Sequence, residues 1–223
     1  MIIDLGLVDY EKAYAVQMEM VARRKLGEVA NSLLFAEHEA VITVGRGGVN
    51  TKKRHILADD DTLAGYGIKV LDVDRGGGVT LHARGQLVAY PIVDLRERIG
   101  DLHRYMRFLE EAVIRMLERF SIRGFAVPGR TGVWLDAGRK IASIGIGARS
   151  WITYHGLSVN VNIDLGYFSM IKMCGLDNVR AASMLEILRK VVPLREVKAR
   201  LAKELAGLLD IPDNDHEYIP FVA

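Results

Sequence analysis

Several things are scarce in this chain, and each scarcity removes a class of protein. Cysteine occurs once in 223 residues, at Cys174. A single thiol cannot form an internal disulfide, which excludes a small secreted scaffold held by such staples. Charge of one sign is equally lacking: 30 Lys and Arg stand against 28 Asp and Glu, for a net charge of +2. A protein that coats nucleic acid should cluster its basic residues, and none of that is expected here. The one small basic patch, "TKKRH" (51–55), has two readings, a contact for an acidic partner and, the one favoured for the patch taken alone, a solvated loop. No apolar run approaches the roughly 20 residues needed to cross a bilayer, so no membrane partner is expected. The opening "MIIDLGLVDYEKAYAVQ" has no positive leader region. A soluble cytoplasmic protein with a reduced thiol is the resulting expectation. The histidines (His38, His55, His82, His103, His155 and His216) show no metal-ligand spacing, so no metal site is predicted.

What the chain has is a large apolar share, 50% of its residues, enough to bury a sizeable core. No internal repeat or low-complexity linker divides it. "DYEKAYAVQMEMVARRKLGE" (9–28) reads as a helix opened by an Asp cap. "NSLLFAEHE" and "AVITVGRGG" read as two short strands meeting near Glu39, and "ADDDTLAGYG" as a short acid-capped helix or turn closed by glycine. "IKVLDVD" (68–74) and "QLVAYPIVDL" (86–95) are further strands. "DLHRYMRFLEEAVIRMLERF" (101–120) is the clearest helix. Leu102, Tyr105, Met106, Leu109, Val113, Met116, Leu117 and Phe120 make one apolar stripe along it.

Residues 123–150 read as strands joined by turns, and "HGLSVNVNIDL" (155–165) alternates strictly. Leu157, Val159, Val161 and Ile163 lie on one side; Ser158, Asn160, Asn162 and Asp164 form a polar side turned to water or to a site. A helical stretch at about 179–190, a helix carrying Leu194, Val197, Leu201, Leu205 and Leu208, and a loose tail complete the pattern. Strands come in hairpin-like groups and helices in a few blocks. The predicted class is therefore α+β, a mixed, largely antiparallel sheet flanked by helices.

Three features could carry chemistry. "RGGGVTLHARGQ" (75–86) has three consecutive glycines, costly in backbone entropy unless close approach or positive φ requires them. Bare backbone N–H groups there could cradle an anion or an acyl oxygen. Neither a phosphate-loop Gly-Lys-Ser/Thr nor a helix for dinucleotide binding follows it. Lys140 opens the strand "KIASIGIG" and becomes a chemical group if desolvated or set beside a thiol. Cys174 lies before Gly175 in a predicted turn, and two readings stand: an apolar filler, or a nucleophile. His82 and His155, each beside a turn or glycine, are the histidines best placed to wall a site.

Four segments, "EHEAVITVGRGG" (37–48), "RGGGVTLHARGQLVAYPIVDL" (75–95), "PGRTGVWLDAGRKIASIGIG" (128–147) and "HGLSVNVNIDLGYFSMIKMCGL" (155–176), together resemble the lipoyl(octanoyl) transferases of the biotin/lipoate protein ligase superfamily. The resemblance implies that superfamily's catalytic-domain fold over residues 1–212, followed by a C-terminal tail at 213–223. It implies octanoyl transfer from acyl carrier protein to a lysine of a lipoyl domain or of the glycine-cleavage H protein, without a cofactor. Cys174 would be the nucleophile that carries the acyl thioester, and Lys140 its acid/base partner. Arg75, Gly76, Gly77, Gly78, His82, Gly85 and Gln86 would line the acyl pocket, faced by Ile144, Gly145, His155 and Gly156. Leu81, Ala83, Arg84 and Met173 depart from the residues usual in that family. An ATP-dependent ligase on the same fold and a non-catalytic binding homologue are the competing readings.

Overall fold

This computed structural model describes residues 1–51, 55–97, 99–173, 178–212 and 219–220, and among them the chain forms two sheets and five α-helices. The chain opens with β1 (Ile2–Leu7) and α1 (Tyr10–Lys25), where the Asp9 carboxylate accepts from the Glu11 N–H at 2.9 Å. Such a cap satisfies a helix-end donor that would otherwise lack a partner. Then come β2 (Ser32–Glu37), β3 (Val41–Val44), α2 (Asp60–Gly65), β4 (Lys69–Asp72), β5 (Val79–His82) and β6 (Gln86–Ile92). Next, α3 (Leu102–Glu118), capped by Asp101, leads into β7 (Phe125–Val127), β8 (Arg130–Trp134), β9 (Arg139–Arg149) and β10 (Ile152–Asn160). The remaining elements are β11 (Arg180–Ala181), α4 (Met184–Leu188), α5 (Leu194–Leu209) and β12 (Ile219–Pro220).

Among the described residues the large sheet has nine strands, in the order β12-β1-β2-β6-β10-β9-β8-β7, with β11 alongside β9; a smaller sheet runs β4-β3-β5. The run from β2 to β7 is antiparallel throughout, whereas β1 pairs in parallel with β2 and β12. The expected mixed, largely antiparallel α+β class is therefore observed. One face of the large sheet packs on α3 and α5 through residues such as Phe35, Leu87, Leu157, Leu109, Met116 and Leu201. The other face packs α1 against Leu34, Ala36, Val88, Tyr90 and Tyr154. The small sheet has its own core of Ile42, Leu81, Phe168 and Met173. The α3 stripe is buried or half-buried as its periodicity requires, apart from Leu102, which is 39% exposed.

The structure corrects four local expectations. β2 and β3 do not pair, because β2 is buried on both faces and takes β1 and β6 as neighbours, while β3 joins the other sheet. The helical stretch at about 179–190 is only α4. Before it, the backbone of β11 is drawn to β9, with Arg180 N–H on the Gly138 carbonyl and Ala182 N–H on the Lys140 carbonyl, each at 2.9 Å. β10 ends at Asn160, since the N–H groups of Val161 and Asn162 turn to the Gly85 carbonyl. Ile219 and Pro220, expected in a loose tail, pair with Ile3 and Asp4.

Gly156 shows how tightly the centre is packed. A Cβ there would lie 2.2 Å from the Ala89 carbonyl oxygen and 2.8 Å from Pro91 Cδ. Both neighbours belong to β6, so neither can swing aside. Gly156→Ala is expected to lower the unfolding free energy by about 2–3 kcal/mol, as forced overpacking does. An unchanged urea midpoint would refute that account.

Candidate active site

A cavity of about 560 Å³ opens between the two sheets, walled by β6, β9 and β10 on one side and by the glycine loop with β5 on the other. This volume falls within the roughly 300–1,000 Å³ usual for small-ligand sites. Lys140 belongs to its wall and is buried, at 3% exposure. Its backbone is fixed by register with Trp134 of β8 and Ala181 of β11. Its Nζ stands 5.2 Å from the centre of the Trp134 ring, a cation–π distance. Room for the side chain comes from Gly132, at φ +114°, where a Cβ would lie 2.5 Å from Lys140 Cε. The Gly132 N–H donates to the buried Glu110 carboxylate at 2.8 Å, and Arg107 pairs with the same group. Burial pushes the Glu110 carboxyl up, against these partners.

The glycine loop is a strapped pad rather than a free hairpin. Carbonyls of Arg75, Gly77 and Gly78 each accept, at 3.0 Å, from the N–H groups of Arg46, Gly47 and Gly45. Gly76 N–H reaches the Ile146 carbonyl at 2.8 Å. Buried Arg75 ties the pad to β3, donating from Nη2 to the carbonyl and hydroxyl of Thr43 at 2.8 Å each. Close approach explains the glycines: a Cβ on Gly45 would lie 2.5 Å from the Gly77 carbonyl oxygen, and one on Gly145 only 3.0 Å from Arg75 Cδ.

Tyr10, His82, Tyr90 and His155 line one end of the cavity, and buried His38 packs behind them against Tyr10, His82 and Tyr90. His38 gives its Nδ1 proton to the Val8 carbonyl at 2.8 Å, and its Nε2 accepts from the Tyr90 hydroxyl at 2.6 Å. The Tyr10 ring stacks on His82 with centroids 5.9 Å apart and meets His38 edge-on at 5.3 Å. Burial holds His38 and His155 below the usual histidine range, and burial together with the neighbouring His38 pushes His82 down to about 3. Burial also pushes the Tyr10 hydroxyl up to about 12. At neutral pH these groups are uncharged.

His155 occupies an unusual backbone position, φ +55° within a strand. Non-glycine residues persist there only when their surroundings over-determine them. Its N–H donates to Gln17 Oε1 at 2.7 Å, its Nε2 donates to Asp74 Oδ1 at 2.9 Å, and its Nδ1 lies 3.4 Å from the Tyr10 hydroxyl. Burial opposes the Asp74 charge, but hydrogen bonds from His155, Tyr154 and Arg149 outweigh it and hold the carboxyl well below the usual range.

Of the residues singled out in the sequence, Lys140, Arg75, Gly77, Gly78, His82, Ile144, Gly145, His155 and Gly156 converge on this cavity. Gly76, Gly85 and Gln86 do not line it. Gly76 bonds β9, and Gly85, at φ +82°, sits where a Cβ would be 2.7 Å from the backbone of Asn162 and Ile163. Gln86 lies behind His82, its Oε1 2.7 Å from the ring Nδ1. Cys174 lies outside the described residues. Sequence reasoning missed Tyr10, His38, Tyr90, Asp74, Gly132 and Trp134. Only the polar side of "HGLSVNVNIDL" pointed toward any unnamed site residue, and Ser158 does line the cavity.

The profile of the lipoyl protein ligase A/B catalytic domain matches residues 9–206. The chain belongs to that family. It is 42% identical to a protein named octanoyltransferase from Geotalea uraniireducens, across 97% of both chains. It is 41% identical to another of that name from Chloroflexus aggregans, across 93% of both. Membership of the lipoyl protein ligase A/B family in this company makes the chain an acyltransferase. A bipartite lipoate protein ligase from Thermoplasma acidophilum superposes with a TM-score of 0.66 at 18% identity, over 95% of this chain and 86% of that one. LipL1 from P. falciparum, solved in complex with lipoate, gives 0.73 at 12% identity, over 96% and 64%. These two establish the biotin/lipoate ligase type of fold. No helix among the described residues is long and apolar enough to cross a membrane.

Proposed function

We propose that this chain moves an octanoyl group from acyl carrier protein to a lysine of a lipoyl domain or of the H protein. The acyl group rests in between as a thioester on Cys174, and Lys140 exchanges the protons. One observation carries this reading: a lysine is buried in the wall of a ligand-sized cavity, in a chain about two-fifths identical to octanoyltransferases. The Cys174 thiolate attacks the donor thioester, and the carrier's sulfur leaves with a proton from Lys140. The acceptor amine then attacks the Cys174 thioester, and its surplus proton returns through Lys140. The backbone of Gly77 and Gly78 lies in the cavity to receive the acyl oxygen. Thioester-to-amide transfer runs downhill, so neither ATP nor a metal enters the scheme.

Intact-mass analysis after incubation with octanoyl-acyl carrier protein tests it. One octanoyl mass, removable by hydroxylamine and mapping to Cys174, is expected, followed by its loss to added lipoyl domain. No adduct, together with modification that requires octanoate and ATP, would replace this reading with a ligase.

A further inference from the structure

Gln86 and Asn160 reach no cavity surface, yet both are buried and both are engaged at every polar end that the structure describes. Asn160 Nδ2 donates to the Ala182 carbonyl at 2.9 Å, which leaves its Oδ1 as an acceptor. Gln86 Nε2 donates to that Oδ1 at 2.8 Å and to the Leu81 carbonyl at 3.2 Å. Gln86 Oε1 can then only accept, and its partner is His82 Nδ1 at 2.7 Å. A backbone carbonyl cannot donate, so two of them, Leu81 and Ala182, set the direction of the whole chain. The proton of His82 must sit on Nδ1. With Nδ1 taken by Gln86, Nε2 is the ring nitrogen left to meet a ligand in the cavity that His82 lines.

We propose that Gln86 and Asn160 are positioning residues that act through His82, fixing its neutral ring so that Nε2 offers a lone pair to the N–H of the attacking lysine amine. This rests on the acyl-transfer reading above. Tyr10, His38, Arg75 and His155 surround the ring, and the cationic or potentially cationic ones oppose its protonation. With its proton affinity so reduced, the ring is no base for a thiol; it can accept a hydrogen bond and nothing more. One amine N–H held on Nε2 turns the nitrogen's lone pair toward the thioester carbonyl. His82 gains no proton in the step. The nitrogen pair forms the C–N bond, the C–S pair leaves on the Cys174 sulfur, and the proton lost from nitrogen reaches that thiolate by way of Lys140.

Long-range ring correlations in 15N-labelled protein report which histidine nitrogen is protonated. The expected result near neutral pH is His82 protonated on Nδ1 and bare on Nε2; a proton on Nε2 overturns the proposal with no variant needed. Gln86→Glu keeps an acceptor for Nδ1 but replaces a neutral amide with an anion, so it favours the imidazolium. Transfer from preformed acyl-enzyme to a lipoyl domain should then fall about tenfold below the raised His82 pKa, the scale of one lost hydrogen bond, and recover above it. A purely structural role for Gln86 gives a loss that pH does not restore, and that outcome also overturns the proposal. Failure of the acyl-transfer reading itself shows separately, as absence of the Cys174 adduct.

Discussion

Replacing Cys174 with alanine is expected to cut acyl transfer by at least about 10³-fold and to abolish the hydroxylamine-labile adduct, because removal of a covalent nucleophile leaves only binding and positioning. The residual rate would come from direct attack of the acceptor amine on the donor thioester held in the cavity. An ordinary thiol, with a pKa near 8.5, is only a few per cent thiolate at neutral pH. The proposed pairing with Lys140 therefore also makes alkylation of Cys174 by iodoacetamide faster than alkylation of a free thiol. Cys174→Ser, which keeps the size but offers a far weaker nucleophile, should behave like the alanine variant. Steady-state transfer to a lipoyl domain and intact mass check both. Full activity in Cys174→Ala would remove the covalent intermediate from the mechanism.

The second large loss is expected from Lys140→Met, which keeps the apolar stem against Trp134 and removes only the ammonium. A general acid/base contributes about 10²–10⁴-fold, and the fall should appear in kcat with KM nearly unchanged. Lys140→Arg should not restore activity, since a guanidinium holds its proton throughout the accessible pH range. Geometry supplies an independent arm of the same test. Gly132→Ala places a methyl group 2.5 Å from Lys140 Cε, well inside contact distance, and so displaces the lysine without changing its chemistry. Its backbone φ of +114° is also foreign to alanine. Single-turnover release of octanoyl from preformed acyl-enzyme should slow in both variants. Wild-type kinetics in Lys140→Met would leave the proton shuttle to another group.

How much of this was legible in the sequence depended on distance along the chain. The α3 stripe, the alternation of β10 and the glycine loop are local patterns, and local periodicity reports local burial. Lys140 stood out because a turn opens the strand beneath it, and His82 and His155 because of their neighbouring turns and glycines. Tyr10 gave no such signal. It sits in the first turn of a helix whose buried set also includes Gln17, and only the packing of α1 against β10 brings it between His38 and His82. Asp74 read as the end of a strand, yet it anchors a histidine 81 positions later. Gln86 was assigned to the acyl pocket, but its hydrogen bonds turn it toward Asn160 instead. The failed β2–β3 pairing has the same origin, because two adjacent strands with buried faces can be satisfied by different sheets.

The strand order of the large sheet has a consequence for how the protein comes into being. β7 to β10 form a ribbon of successive neighbours within residues 125–160, and such short-range pairings close quickly. The other half is assembled from far apart: β2 needs β6, and β6 needs β10, whose residues follow about sixty positions later. On the ribosome, the apolar run Leu33–Leu34–Phe35 therefore emerges long before its sheet can be completed, a period of exposure to aggregation. The cavity belongs to this late event. Tyr10 and His82 come from the early half, and Lys140 and His155 come from the ribbon. The cavity takes shape only when the two halves dock, so a nascent chain cannot acquire it before residue 160 has emerged.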